Sequence, residues 1–171
     1  MTVAVYPGTF DPVTNGHMDI IKRTSALFDK LIIGVYENPD KQPLFSLEQR
    51  MELLEKAVTE FPNVLVKSFE GLIVDFMHEV RGKVIIRGLR LSSDFEREFE
   101  MALMNKKLAP DIELLCLMTS SQYQFLSSSL IKEVAMLGGC LEDMVPDHVA
   151  AALKEKSSIM LPKVATGETR C

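Results

Sequence analysis

The sequence predicts an α/β protein built on a doubly wound, five-stranded parallel sheet with helices on both faces. Two observations support this fold class. Short runs rich in β-branched residues alternate along the chain with stretches whose apolar residues recur at helical spacing. The strand candidates are mostly continuous apolar runs, as expected for strands covered on both faces. Right-handed crossovers would stack these elements into one open, Rossmann-like sheet.

Each element follows from a local pattern. The five predicted strands are residues 2–6, 30–36, 63–68, 83–87 and 112–119. The predicted helices lie between or after them, at about residues 18–28, 46–58, 72–80, 92–103, 128–137 and 146–159.

Two helix boundaries have specific signals. Ser46 and Gln49 form a capping-box pattern, in which both side chains satisfy backbone N–H groups at the start of a helix. Gly138 and Gly139 are suited to the left-handed terminus of the helix that begins near residue 128. These two boundaries are therefore predicted from turn chemistry as well as from periodicity.

The length predicts one domain over residues 1–160, with residues 161–171 as a flexible C-terminal tail. The chain has 171 residues, 47% of them apolar and 25% charged, which is little more than one average domain and excludes intrinsic disorder. No apolar run reaches the roughly 18 residues of a membrane span, and the first residues do not resemble a signal peptide. We therefore expect a cytoplasmic protein without a membrane partner.

The formal net charge is −5, which argues against a broad nucleic-acid-binding surface. We expect no nucleic-acid partner. An anionic ligand would have to be bound by a local group of cations. No cluster with metal-ligand spacing is visible in the sequence, so no protein metal site is predicted.

Candidate site residues follow the strands, because open parallel sheets bind ligands outside the carboxyl ends of their strands. The loop after the first strand contains Gly8, Thr9 and Gly16, and His17 falls in the first turn of the next helix, where unpaired N–H groups favour anions. An ordinary turn with a surface histidine is the alternative. Lys41 follows the second strand in a loop framed by prolines, and could equally be a solvated lysine.

The fourth and fifth strands are followed by further phosphate-binding candidates. Arg87 and Arg90 flank Gly88 at the end of a buried apolar run, where their guanidinium groups could bind phosphate or form structural ion pairs. Three successive serines, Ser127 to Ser129, precede a helix and could bind a polyphosphate or act as caps. All these features are predicted to share one edge of the sheet, which favours one or two phosphorylated substrates.

Two motifs resemble those of the nucleotidyltransferase superfamily. Thr14-Asn15-Gly16-His17 is similar to its (His/Thr)-x-Gly-His motif, and the segment from Leu126 to Lys132 is similar to its Ile-Ser-Ser-x-x-x-Arg/Lys motif. Together with residues 6–12 and the Arg87 to Arg90 turn, they resemble the bacterial phosphopantetheine adenylyltransferase family over roughly residues 2–157.

This resemblance implies the reaction. The family transfers AMP from ATP to 4′-phosphopantetheine, giving dephospho-coenzyme A and pyrophosphate, with Mg²⁺ bound through the ATP phosphates, as a cytoplasmic homohexamer. It implies catalytic roles for His17, Lys41 and Arg90. The implied acceptor-binding residues are Thr9, Lys41, Ile73 and Arg87. The implied ATP-binding residues are Thr9, Phe10, His17, Gly88, Leu89, Arg90, Glu98, Tyr123, Gln124, Phe125, Leu126, Ser127, Ser128 and Ser129.

Three other functions remain open on the residues alone. The nearest is another small nucleotidyltransferase that joins ATP or CTP to an acceptor such as nicotinamide mononucleotide or glycerol phosphate. A nucleotide-binding regulatory module would bind ATP without turning it over. A class I aminoacyl-tRNA synthetase shares the Gly-His feature but needs a much longer chain.

Overall fold

The computed structural model describes residues 1–38, 42–90 and 92–160. Lys41 and the predicted tail, residues 161–171, lie outside this part of the chain. The elements are β1 (Val3–Gly8), α1 (Asn15–Ser25), β2 (Lys30–Tyr36), α2 (Leu47–Ala57), β3 (Val64–Phe69), α3 (Ile73–Glu79), β4 (Val84–Leu89), α4 (Ser92–Leu108), β5 (Glu113–Met118), a short 3-10 turn (Ser121–Tyr123), α5 (Ser128–Met136) and α6 (Asp147–Met160).

The five strands form one parallel sheet in the order β3-β2-β1-β4-β5. Two apolar cores cover its faces. One contains residues of α1, α2, α5 and α6, such as Ile21, Leu54, Ile131 and Leu153. The other contains Val74, Phe76 and Met77 of α3. The predicted doubly wound α/β fold is confirmed.

The helix boundaries agree with the turn chemistry. Ser46 caps α2 and forms the predicted capping box with Gln49. Gly138 follows α5 with a positive φ of 71°, the left-handed conformation that glycine adopts without strain. Among the described residues, none of the helices combines the length and apolar character needed to cross a bilayer.

Two strands run further than the sequence predicts. β1 continues to Gly8 because Pro7 and Gly8 still pair with β2. β4 continues to Leu89 because Gly88 and Leu89 still pair with β5. Arg87, predicted as the last residue of this strand, therefore lies inside β4, two residues before its end. Pairing with a neighbouring strand extends both elements through glycines, which local propensity alone disfavours.

The sheet has its switch point between β1 and β4, where the strand order reverses. These two strands pair only at Ala4 with Val84 and at Val5 with Ile85. By contrast, β1 and β2 pair over six residues, from Val3 to Gly8. The backbones of β1 and β4 are therefore not paired toward their carboxyl ends, and a crevice opens where ligands bind in folds of this class.

Candidate active site

A cavity of about 900 Å³ occupies this crevice. It brings together twelve of the predicted catalytic and substrate-binding residues, which come from both halves of the chain. They are Thr9, Phe10, His17, Ile73, Arg87, Gly88, Arg90, Glu98, Leu126, Ser127, Ser128 and Ser129. The volume lies within the range typical of sites for small molecules and cofactors.

Four other predicted ATP-binding residues do not line this cavity. Leu89 is buried within the sheet. Tyr123 packs against the apolar core, and Gln124 donates from Nε2 to the carbonyl oxygen of Thr119 at 3.3 Å. Phe125 is exposed. A contact between these residues and the nucleotide stays a prediction, as does the role of Lys41.

His17 is oriented by the residue that caps its helix. Thr14 is the N-cap of α1, and its hydroxyl accepts from the backbone N–H of His17. In return, the backbone N–H of Thr14 donates to Nδ1 of His17 at 3.0 Å. Because Nδ1 accepts a hydrogen bond, the neutral ring has its proton on Nε2. The structure thus fixes His17 as an Nε2–H donor.

The charge state of His17 follows from its surroundings. The pKa of His17 is lowered from 6.5 to about 4, mainly by burial in the cavity wall and also by the neighbouring charges of Arg90 and Arg87. The Phe10 ring packs edge-on against the imidazole, with 5.0 Å between ring centroids. His17 is therefore neutral at pH 7 and can donate a hydrogen bond without adding a positive charge.

Arg87 is held by a carboxylate of α4. Its Nε and Nη2 donate to the two carboxylate oxygens of Glu98 at 2.6 and 2.5 Å, and Nη1 donates to the carbonyl oxygen of Pro7 at 3.1 Å. Burial alone would lower the pKa of Arg87, but the bonds to Glu98 raise it overall. A guanidinium has five N–H groups, so one on Nη1 and one on Nη2 remain to bind a phosphate.

Arg90 is held in a similar way. Its backbone N–H and its Nε donate to Asp94 at 3.0 and 3.3 Å, and its Nη1 donates to the carbonyl oxygen of Leu126 at 3.0 Å. Both arginines thus form the ion pairs that the sequence left open as an alternative to phosphate binding. Because they also line the cavity, the carboxylates of α4 orient them toward it.

The start of α5 supplies further donors. Ser127 is the N-cap, and its hydroxyl accepts from the backbone N–H of Leu130 at 3.1 Å. Ser128 donates its hydroxyl to the carbonyl oxygen of Pro12 at 2.8 Å. The serines therefore do act as caps and tethers. Ser128 and Ser129, the first two residues of α5, line the cavity, where the N-terminal end of a helix would stabilise an anion.

Sequence reasoning missed the residues that hold these groups in place. One of them is Asp94, whose spacing of four residues from Arg90 was the available signal. Asp19 accepts from the hydroxyl and backbone N–H of Ser120 at 2.7 and 3.0 Å, which ties α1 to the loop after β5. Arg50 donates to the carbonyl oxygens of Thr9 and Tyr36. No local pattern predicts such long-range bonds.

The remaining wall of the cavity is mostly apolar. It is formed by side chains of the loop before α3, of α3, of the middle of α4 and of β5, among them Leu72, Ile73, Met101, Met104, Leu108 and Leu114. The cavity thus combines a cationic region with an apolar wall. This combination suits a ligand that has a phosphate and an uncharged arm.

The cavity wall, as far as the structure describes it, contains no grouped set of side chains that could ligate a metal ion. Among residues 1–38, 42–90 and 92–160, no three His, Cys, Asp or Glu side chains are grouped closely enough to hold an ion. Glu98 and Asp94, which line the cavity, are bonded to arginines. A divalent cation at this site would have to obtain most of its ligands from the substrate and from water.

Comparisons with known proteins find relatives over most of the chain. The cytidylyltransferase-like family model matches residues 5–134. The chain is 60% identical over 158 residues to the phosphopantetheine adenylyltransferase of Clostridium tetani, covering 92% of this chain and 99% of that protein. It is 58% identical to the phosphopantetheine adenylyltransferase of Caldanaerobacter subterraneus, covering 91% of this chain and 98% of the other.

A solved structure shares the fold. It is described as a nicotinate-nucleotide adenylyltransferase from Vibrio parahaemolyticus, and it superimposes with a TM-score of 0.69 over 90% of this chain and 99% of that one. The sequence identity is only 13%, so this likeness supports the Rossmann-like architecture and not the choice of substrate.

Proposed function

Because the chain belongs to the phosphopantetheine adenylyltransferase family, we propose that it transfers AMP from ATP to 4′-phosphopantetheine. The products are dephospho-coenzyme A and pyrophosphate. The observation that supports this function best is the position of His17. A neutral Nε2–H donor lies in one cavity with two oriented arginines.

The reaction needs no nucleophilic side chain. The phosphate of 4′-phosphopantetheine is anionic at neutral pH and attacks the α-phosphorus of ATP directly, while pyrophosphate leaves on the opposite side. The main barrier is the repulsion between two anions, together with the precision of their alignment. In this proposal Arg87 and Lys41 bind the incoming phosphate, and the two N–H groups of Arg87 not used by Glu98 and Pro7 face it.

His17 stabilises the α-phosphate, at which the substitution takes place. Nε2–H donates to a non-bridging oxygen of the α-phosphate, and this bond strengthens as negative charge develops in the transition state. Donation from Nδ1 is excluded by the bond from Thr14. Arg90 and the first turn of α5 hold the β- and γ-phosphates, which become the pyrophosphate leaving group.

The remaining predicted residues bind the two substrates. Thr9, Phe10, Gly88, Leu89, Glu98 and residues 123–129 form the nucleotide side of the proposal. Thr9 also faces the acceptor phosphate, and Ile73 with the apolar wall packs against the pantetheine arm. Mg²⁺ would be bound through phosphate oxygens of ATP, where it neutralises charge on the leaving group.

An apolar surface supports assembly into the proposed homohexamer. Exposed apolar side chains cluster on α4 and β5, among them Phe95, Phe99, Leu103, Leu115 and Met118. Such exposure is typical of a surface that another subunit covers. We also propose the cytoplasm as the compartment, since ATP is available there. Sedimentation of the purified protein would measure the number of subunits.

The function is tested by pyrophosphate release from ATP with a panel of acceptors. We expect turnover with 4′-phosphopantetheine and little with nicotinamide mononucleotide or glycerol phosphate. The reverse reaction, from dephospho-coenzyme A and pyrophosphate to ATP, should also proceed. Preference for another acceptor would indicate a different nucleotidyltransferase, and ATP binding without turnover would indicate a regulatory module.

A further inference from the structure

A buried carboxylate, Asp11, lies behind the cavity in the loop after β1. Its side chain accepts from the backbone N–H groups of Leu44 and Phe45 at 3.0 and 2.9 Å, and from Nζ of Lys132 at 2.5 Å. Asp11 is only 4% exposed. A charge in such a place is stable only when its hydrogen bonds and a counter-ion are present together.

The counter-ion, Lys132, comes from α5 and is 121 residues away in sequence. It lies one helical turn after Ser128, on the same side of α5. Both side chains reach the same dipeptide, since Ser128 donates to the carbonyl oxygen of Pro12 and Lys132 donates to Asp11. Two bonds one turn apart fix both the position and the rotation of α5 against this loop.

These contacts connect two segments that are proposed to bind the phosphates of the substrates. Thr9 and Phe10 directly precede Asp11, and Ser127 to Ser129 begin α5; all of them line the cavity. Lys132 itself is not part of the cavity wall. Its ammonium group is therefore turned toward Asp11 and away from the space that a ligand would occupy.

We propose that Lys132 is a positioning residue for adenylyl transfer, acting through Asp11 and without touching either substrate. It holds the first turn of α5 at the distance from Thr9 and Phe10 that the reacting phosphates require. This inference rests on the proposed function. In this proposal, the final lysine of the Ser-Ser-Ser-x-x-Lys segment aligns the phosphate-binding residues of the site and does not itself bind a phosphate.

The test compares four variants by kinetics, ATP binding and hydrogen exchange. They are Lys132→Met, Asp11→Asn, the double variant Asp11→Asn/Lys132→Met, and Lys132→Arg, which restores the charge. Lys154→Met, on the exposed surface of α6, is the matched control. Where a single variant leaves a lone buried charge and does not fold, the double variant removes both charges and keeps the comparison possible.

We expect Lys132→Met and Asp11→Asn to lower kcat by up to about a hundredfold, because small misplacements of aligned groups have effects of this size. The affinity for ATP, measured by calorimetry, should change much less. The double variant should be no slower than the slower single variant, and Lys132→Arg should recover most of kcat. Amide exchange over residues 9–14 and 127–136 should accelerate in Lys132→Met but not in Lys154→Met.

Three results would overturn the proposal. An unchanged kcat in a folded Lys132→Met would reduce the pair to a structural role. A loss of ATP affinity in Lys132→Met but not in Asp11→Asn would indicate direct contact with phosphate. Additive losses in the double variant would show that the two residues act independently. If the wild type proves inactive with 4′-phosphopantetheine, the proposed function fails, while the exchange data still decide whether Lys132 holds α5 through Asp11.

Discussion

Lowering the pH should destabilise the fold because His17 becomes protonated, and replacing His17 should remove this part of the pH dependence. The pKa of His17 is about 4 in the folded protein, because of its burial and the nearby Arg90 and Arg87, against an ordinary value of 6.5. The unfolded chain therefore binds more protons than the folded chain between these two values. The contribution of neutral His17 to the free energy of unfolding is therefore fully present above pH 6.5 and is lost as the pH falls toward 4.

The size of this effect follows from the two pKa values. Linkage gives a loss of about 2 kcal/mol in the free energy of unfolding between pH 7 and pH 5 from His17 alone. His17→Gln is the informative variant, because glutamine at this position of the helix still accepts the backbone N–H of Thr14 but cannot be protonated. Its stability should lack this component.

The assay is urea unfolding of the wild type and of His17→Gln at pH 7 and pH 5. Carboxylates elsewhere in the protein contribute equally to both proteins, so the difference between the two losses isolates His17. We expect the wild type to lose about 2 kcal/mol more than the variant. Equal losses would mean that His17 titrates normally in the folded protein, and the argument for a neutral donor would fail.

Three further predictions concern the proposed substrate-binding residues and a buried arginine that supports them. His17→Ala should lower kcat by about a hundred- to a thousandfold, measured by steady-state kinetics, with little change in the ATP affinity measured by calorimetry. A loss of ATP affinity without a loss of kcat would refute a transition-state role for His17. Arg87→Ala and Lys41→Ala should raise KM for 4′-phosphopantetheine more than KM for ATP, and Glu98→Gln should do so more weakly because it loosens Arg87; a larger effect on ATP would reverse the assignment. Arg50→Met should lower the free energy of unfolding by about 1–3 kcal/mol for each carbonyl oxygen left without a donor, measured by urea unfolding. Arg50→Lys, which keeps a positively charged donor, is the control and should lose less. Unchanged stability of Arg50→Met would show that these bonds contribute nothing.

Much of the candidate site could be predicted because strand ends in a parallel sheet share an edge. Once residues 83–87 were identified as a strand following β-α units, Arg87 and Arg90 had to approach the loop that contains His17. The structure places all three in one cavity. The roles of individual residues are less accessible, since the bonds from Arg87 to Glu98 and from Thr14 to His17 depend on packing and rotamers.

Some differences from the sequence analysis arise from pairing that no local pattern reports. β4 extends two residues beyond Arg87, its predicted end, because β5 continues to pair as far as Met118. Tyr123 packs against the apolar core, a contact that its local sequence does not predict, and its contact with the nucleotide stays a prediction. In both cases the surrounding sheet and core decide the environment of the side chain, and intrinsic propensity is overridden.

The alternation of strand-like and helix-like apolar patterns by itself determined the sheet, its covered faces and the edge at which the candidate phosphate-binding residues gather, because burial imposes a regular spacing on each element. Tertiary packing alone decided the chemistry at that edge. The proton of His17 is on Nε2 because Thr14 donates to Nδ1, and its pKa falls because α1 buries the ring near two arginines. Lys132 faces Asp11 because two segments far apart in the chain meet there. Protonation and ion pairing depend on distances through space, and a one-dimensional pattern does not contain those distances.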